Sequence, residues 1–98
     1  MNASIAIQTL PFLEGNRKEE MYSVIDEVIA YIKKQELVYE VGPFETTIEG
    51  ELSQLIKIIE DVTRLCVEKG AKSVLSYVKI HYSEEGVSAI SEKVEKHR

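Results

Sequence analysis

The residues of this chain best able to do chemistry are few and dispersed. Glu45 and Glu49 are two carboxylates four positions apart, a pair that could divide acid and base roles, although charges on a sheet face are ordinarily solvated or paired. Glu49 and Lys79 could form such a pair across a sheet. His81 and His97 have no thiolate or carboxylate gathered around them at a metal-ligating spacing, so neither a zinc nor an iron site is expected. The single Cys66 lies in an apolar helical pattern, Val62 to Val67, and reads as a buried structural thiol. The serines form no Gly-x-Ser-x-Gly elbow, and the five glycines make neither a phosphate-cradling loop nor a dinucleotide fingerprint. Tyr22, Tyr31, Tyr39, Tyr77 and Tyr82 offer stacking surfaces without the basic aromatic strand of an RNA-binding sheet. No catalytic constellation and no cofactor or metal are expected.

These groups must be positioned by a small scaffold. The 98 residues are 44% hydrophobic and 30% charged, the composition of one folded domain spanning residues 1–98. A net charge of −5 disfavours attraction to nucleic acid phosphates or anionic membranes. One cysteine cannot form an intramolecular disulfide, Met1 to Leu10 lacks the pattern of a signal peptide, and nowhere do about 18 apolar residues run together. A soluble, cytoplasmic protein is expected.

Asn2 to Leu10 alternates, with Ile5 and Ile7 on one side and Ser4, Ala6 and Gln8 on the other, and reads as a strand that Pro11 ends. From Arg17 to about Gln35, Met21, Val24, Ile25, Val28, Ile29 and Ile32 recur at helical steps behind an Asn16 N-cap with Glu19 at the capping-box position. Leu37 to Val41 and Phe44 to Glu49 read as strands joined at the Gly42-Pro43 turn. A second helix spans Glu51 to Lys69, with the stripe Leu52, Leu55, Ile56, Ile59, Val62, Leu65 and Cys66 and a Gly70 C-cap. Ser73 to Tyr82 alternates as a fourth strand, and Val87 to Val94 has the steps of a short terminal helix.

The β-α-β-β-α-β order predicts an α+β, ferredoxin-like sandwich with antiparallel strand order 4-1-3-2, both helices on one face and a short C-terminal helix. Ile5, Ile7, Phe44, Ile48, Val74, Val78 and Ile80 are assigned to the helix side. Ser4, Ala6, Gln8, Glu45, Thr47, Glu49, Leu75, Tyr77, Lys79 and His81 are left on a face with no layer of its own. Leu75, Ala6 and Tyr77 have little reason to stand on a solvated face, so a homodimer or homotetramer is expected.

Ala6-Ile7-Gln8-Thr9-Leu10-Pro11, Tyr39-Glu40-Val41-Gly42-Pro43 followed by Phe44-Glu45-Thr46-Thr47-Ile48-Glu49-Gly50, and Val78-Lys79-Ile80 resemble the small thiamine-binding protein family, which is YkoF-like. The likeness spans roughly Asn2 to Tyr82, and its most specific part is the run Thr46 to Gly50. It implies an oligomeric ferredoxin-like subunit that binds thiamine or its hydroxymethylpyrimidine moiety without catalysis. Within the matching motifs, Gln8, Thr46, Thr47, Glu49 and Lys79 are carried over as ligand-binding candidates, and Tyr77 is the nearest aromatic lid for a flat ring. Alternation puts Thr46 on the helix side, so either a bulge turns it or its role is structural. An aminopyrimidine edge calls for an amide or hydroxyl and a carboxylate, which Gln8, Thr47 and Glu45 or Glu49 supply, and a thiazolium favours an acidic or aromatic neighbour. The alternative is a structural or regulatory module whose open face serves self-assembly alone.

Overall fold

Alternation in the strands and the apolar stripes of the helices converge on one buried layer. In the computed structural model, which describes residues 2–15, 18–87 and 89–90, the elements are β1 (Ala3–Phe12), α1 (Lys18–Lys34), β2 (Tyr39–Val41), β3 (Thr46–Gly50), α2 (Leu52–Glu68) and β4 (Ser73–Tyr82). The sheet order is β2-β3-β1-β4, the expected 4-1-3-2 read from the other edge, and every pairing is antiparallel. Asn16 and most of Val87 to Val94 lie outside the described residues, as the expected N-cap and terminal helix do with them.

Ile5 opposes Ile48 and Ile7 opposes Thr46 across β1 and β3, so their side chains share a face. That face meets Val24, Val28 and Ile32 of α1 and Leu55, Ile58, Val62 and Cys66 of α2 in one core. Each fully buried Val, Leu or Ile contributes about 1.5–3 kcal/mol relative to an exposed one. The α2 seam differs from the expected stripe: Ile58 is 1% exposed and Ile56 46%. Steps of 3, 4 and 4 through Leu55, Ile58, Val62 and Cys66 keep one line of the helix on the sheet, and Ile56 falls to its flank.

Pro11 does not end β1. It is buried and opposes Val74, and β1 runs on to Phe12. Because β3 pairs with β1 only as far as Ile7, the later half of β1 has a single neighbour and is an edge on its other side, where proline is tolerated. Phe44 is not a core residue; it is 79% exposed in the turn before β3, whose first residue is Thr46. The Gly42 N–H donates to the Glu45 carbonyl at 2.9 Å, which closes that turn two residues later than simple alternation predicts.

Asn2 caps α2 from a distance in sequence: its Oδ1 accepts the Leu52 N–H at 2.9 Å, while Glu51 in the N-cap position makes no side-chain cap. At the other end Gly70 has φ +113, the left-handed region expected of a residue just past the C-cap. Beyond β4 the chain turns back. Ser83 N–H donates to the Asn2 carbonyl at 2.9 Å, Gly86 N–H to the Ser83 carbonyl at 3.0 Å, and Ile90 N–H to Glu49 Oε2 at 2.9 Å. Ser4, Glu49 and Ile90 are all buried, so the face opposite the helices is covered at one end instead of being open throughout.

Candidate functional site

Cross-strand register arranges the polar residues of that second face in rows. Glu49, Ser4 and His81 form one row, in which Glu49 and Ser4 are buried and His81 is exposed; Thr47, Ala6 and Lys79 form the next; Gln8 and Tyr77 oppose one another in the one after. Continuing β3 backward from the Ile7–Thr46 pair brings Glu45 level with Gln8. Lys79 Nζ donates to Glu45 Oε1 at 3.2 Å, with the two side chains 79% and 34% exposed. The lysine arm therefore passes across β1 at Ala6, whose methyl leaves room for it. The ion pair anticipated between Lys79 and Glu49 is made with Glu45 instead.

Beside this face a cleft of about 240 Å³ opens between the later half of β1, α1 and the β2–β3 turn. Its α1 wall is Ile25, Val28, Ile29 and Ile32; β1 adds Ile7, Gln8, Thr9 and Leu10; and Val41 to Thr46 close it from the turn. The cleft exists because β3 stops short of Gln8. Over this stretch no strand among the described residues pairs with β1 on that side, and the turn bridges the gap. Gly42 fixes the turn sterically: a Cβ there would stand 2.9 Å from the Glu45 carbonyl oxygen. Among the described residues Glu45 is the one charged residue that lines the cleft, and Gln8, Thr9 and Thr46 are the other residues there with hydrogen-bonding side chains. An apolar slot lined by an acidic residue and a few polar residues can accommodate a flat ring with hydrogen-bonding groups.

The six residues singled out from sequence divide accordingly. Gln8 and Thr46 line the cleft. Thr46 is buried and paired with Ile7 on the helix-bearing face, with no bulge turning it away. Thr47, Tyr77 and Lys79 occupy neighbouring rows on the other face, Tyr77 57% exposed. Glu49 stands apart, four residues and so about 13 Å along β3 from Glu45, with its carboxylate engaged by Ile90. Sequence reasoning missed the α1 wall and Phe44. The signal for Phe44 was an aromatic directly after Gly42-Pro43, since large apolar residues in turns seldom serve the core.

Titratable groups elsewhere act in the scaffold. Tyr31 Oη donates to Asp61 Oδ2 at 2.5 Å, joining α1 to α2. Burial, together with this bond to a carboxylate and its negative charge, pushes Tyr31 up to about 12. The same bond, aided by Lys57 and Arg64, holds Asp61 below its ordinary value against a smaller opposing effect of burial. Burial raises the Cys66 thiol, which disfavours the reactive thiolate. Among the described residues there is no group of three or more His, Cys, Asp or Glu side chains able to hold a metal ion, and no helix long and apolar enough to cross a membrane.

Comparison with known proteins bears on this arrangement. A UPF0045 protein of Clostridium perfringens is 42% identical over 95 residues, covering 97% of this chain and 96% of the relative. The solved structure of a Bacillus cereus domain of unknown function, DUF77, superposes with a TM-score of 0.88 at 34% identity, covering 100% of this chain and 91% of that one. A Thermotoga maritima protein provisionally assigned to thiamine biosynthesis or salvage superposes with a TM-score of 0.84 at 32% identity, over 100% of both chains. The family model described as "Thiamine-binding protein" matches residues 5–98, nearly the whole chain, and the chain belongs to that family.

Proposed function

We propose that this protein binds thiamine or its hydroxymethylpyrimidine moiety, without transforming it, in the cleft between β1, α1 and the β2–β3 turn. The observation that carries this reading is an apolar slot in which Glu45 is the one charged residue among the described lining residues. Apolar walls exclude water from the faces of a planar ring, and a carboxylate at the rim attracts a thiazolium cation. The Gln8 amide both donates and accepts, as an aminopyrimidine edge requires, and the Thr46 hydroxyl adds a second adaptable partner. Thr47, Tyr77 and Lys79 complete the site from the adjoining face, and Glu49 supports it by anchoring the returning chain. Family membership and the provisional thiamine role of the Thermotoga maritima relative agree with this choice of ligand.

The binding unit is a cytoplasmic homodimer or homotetramer. Support for assembly comes from β4, an outer strand of ten residues bearing Leu75, Tyr77, Ile80 and Tyr82, each 45–57% exposed. An outer strand with such exposed apolar residues invites pairing with a second chain, and it adjoins the Gln8 row of the site. Isothermal titration with thiamine and with hydroxymethylpyrimidine tests the reading. Saturable heat that Gln8→Ala and Glu45→Gln each reduce is the expected result; no heat at millimolar ligand overturns it. The same exposed strand favours a second reading, a self-assembling module with no small ligand. Light scattering that reports an oligomer while titration stays silent selects it.

A further inference from the structure

Glu45 belongs to two arrangements at once: it lines the cleft, and its Oε1 holds the ammonium of Lys79. With Lys79 in place, the charge facing an incoming ligand at this rim is balanced. A bare cation that enters must share or displace that ammonium, and the lysine is then left without its counter-charge. A ligand that carries its own anion leaves no such imbalance, because its cation faces Glu45 while its anion takes Lys79. We infer that the cleft favours a zwitterionic ligand, an aromatic cation bearing a phosphate monoester, with Glu45 facing the cation and Lys79 the phosphate. This inference rests on the reading of the cleft as a thiamine-class site.

The geometry suits such a division. Lys79 is 79% exposed on a four-carbon arm, so its ammonium can leave Glu45 without disturbing packing, and an ion pair this exposed contributes little to the fold. A phosphate monoester carries about −1.5 to −2 charges at pH 7, and lysine meets it as a point charge. Ala6 and Thr47 share the row beneath the lysine, a small side chain and a hydroxyl that leave space and a donor for phosphate oxygens. The remaining ring contacts, with Gln8 and the α1 wall, are the same for both forms of the ligand.

Thiamine and thiamine monophosphate titrated into the wild-type chain and into Lys79→Gln and Lys79→Arg test the assignment. The wild type is expected to bind the monophosphate at least fivefold more tightly. Lys79→Gln is expected to erase that preference, bringing the affinities for the two compounds together, and Lys79→Arg to keep it. Thiamine bound as tightly as the monophosphate by the wild type overturns the inference alone, and so does a preference that survives Lys79→Gln. Binding of neither compound overturns the reading of the cleft and the inference with it.

Discussion

The Glu49 carboxylate accepts the Ile90 backbone N–H at 2.9 Å while only 5% exposed, so a charged side chain on the sheet fastens the chain that returns from β4. A buried carboxylate with a backbone donor is held by a charge-assisted bond, and removing the carboxylate leaves that N–H with no acceptor. Glu49→Ala is therefore expected to destabilise the fold by about 1–3 kcal/mol, and Glu49→Gln, which retains an acceptor oxygen, by less. For a domain of this size each 1 kcal/mol lowers the melting temperature by about 4–8 °C. Thermal melts that superpose for wild type and Glu49→Ala contradict the fastening role.

The Tyr31–Asp61 bond is a polar link between the two helices, and its protonation chemistry gives stability a defined pH window. Asp61 is depressed in the folded state, chiefly by the Tyr31 hydroxyl. Its contribution is present above the unfolded carboxyl value near 3.8 and is lost as pH falls through the lower folded value. Tyr31 is raised from 10.0 to about 12, so its contribution is full below about 10 and is lost as pH rises through about 12. Tyr31→Phe should consequently lower stability between those limits and leave it nearly unchanged in stronger acid or base. Ultraviolet titration supplies an independent check: a tyrosine ionisation near pH 12 that Tyr31→Phe removes is expected, and its persistence in the variant excludes the assignment.

Glu36, after the end of α1, has φ 58, a conformation in which the Cβ of an L-residue is crowded. Its N–H donates to the Lys33 carbonyl at 3.2 Å, so the turn that reverses the chain toward β2 depends on this geometry. Glycine adopts it freely, although its own unfolded-state entropy offsets part of the gain. Glu36→Gly should raise stability by about 0.5–1 kcal/mol. A denaturant midpoint that falls in Glu36→Gly shows that the glutamate side chain contributes more than its backbone costs.

What the sequence disclosed of this fold follows from how local each determinant is. Val24, Val28 and Ile32 carry α1 in their spacing, and Ile5, Ile7 and Ile48 carry the sheet, because a period of 3.6 or 2 is written in neighbouring residues. Pro11 and Phe44 resisted because their roles depend on where β3 stops, a consequence of the Gly42–Glu45 turn that alternation does not encode. Ile58 was obscured by Ile56 and Ile59 on either side of it, three isoleucines in a band too wide for spacing to rank. The cleft was the least legible feature. Gln8 and Thr46 stood out through motif resemblance, but the α1 wall is composed of core-type residues and becomes a ligand surface only where a strand is missing beside β1. Glu49 could not be told from Glu45 by residue type; the distinction is made by Ile90, 41 positions away.

Gly42 ties the turn to the proposed site. Its N–H donates to the Glu45 carbonyl, and an added Cβ would press to 2.9 Å on that same oxygen, a distance that side-chain rotation cannot relieve because both atoms belong to the backbone frame. Gly42→Ala should shift the segment through Phe44 and Glu45 while leaving the Ile5, Ile48 and Val62 core in place, since Gly42 is exposed and lies outside that core. The expected result is a folded protein whose affinity for thiamine falls about tenfold, equivalent to about 1.4 kcal/mol, with a smaller loss of stability. Gly42→Leu should exaggerate the binding loss, because the primary clash is at Cβ and a larger side chain adds to it beside the cleft. Titration of the two variants alongside circular dichroism separates binding from folding. Wild-type affinity in a folded Gly42→Ala protein means that the turn does not set the shape of the site, and the ligand then lies on the Tyr77 side of β1.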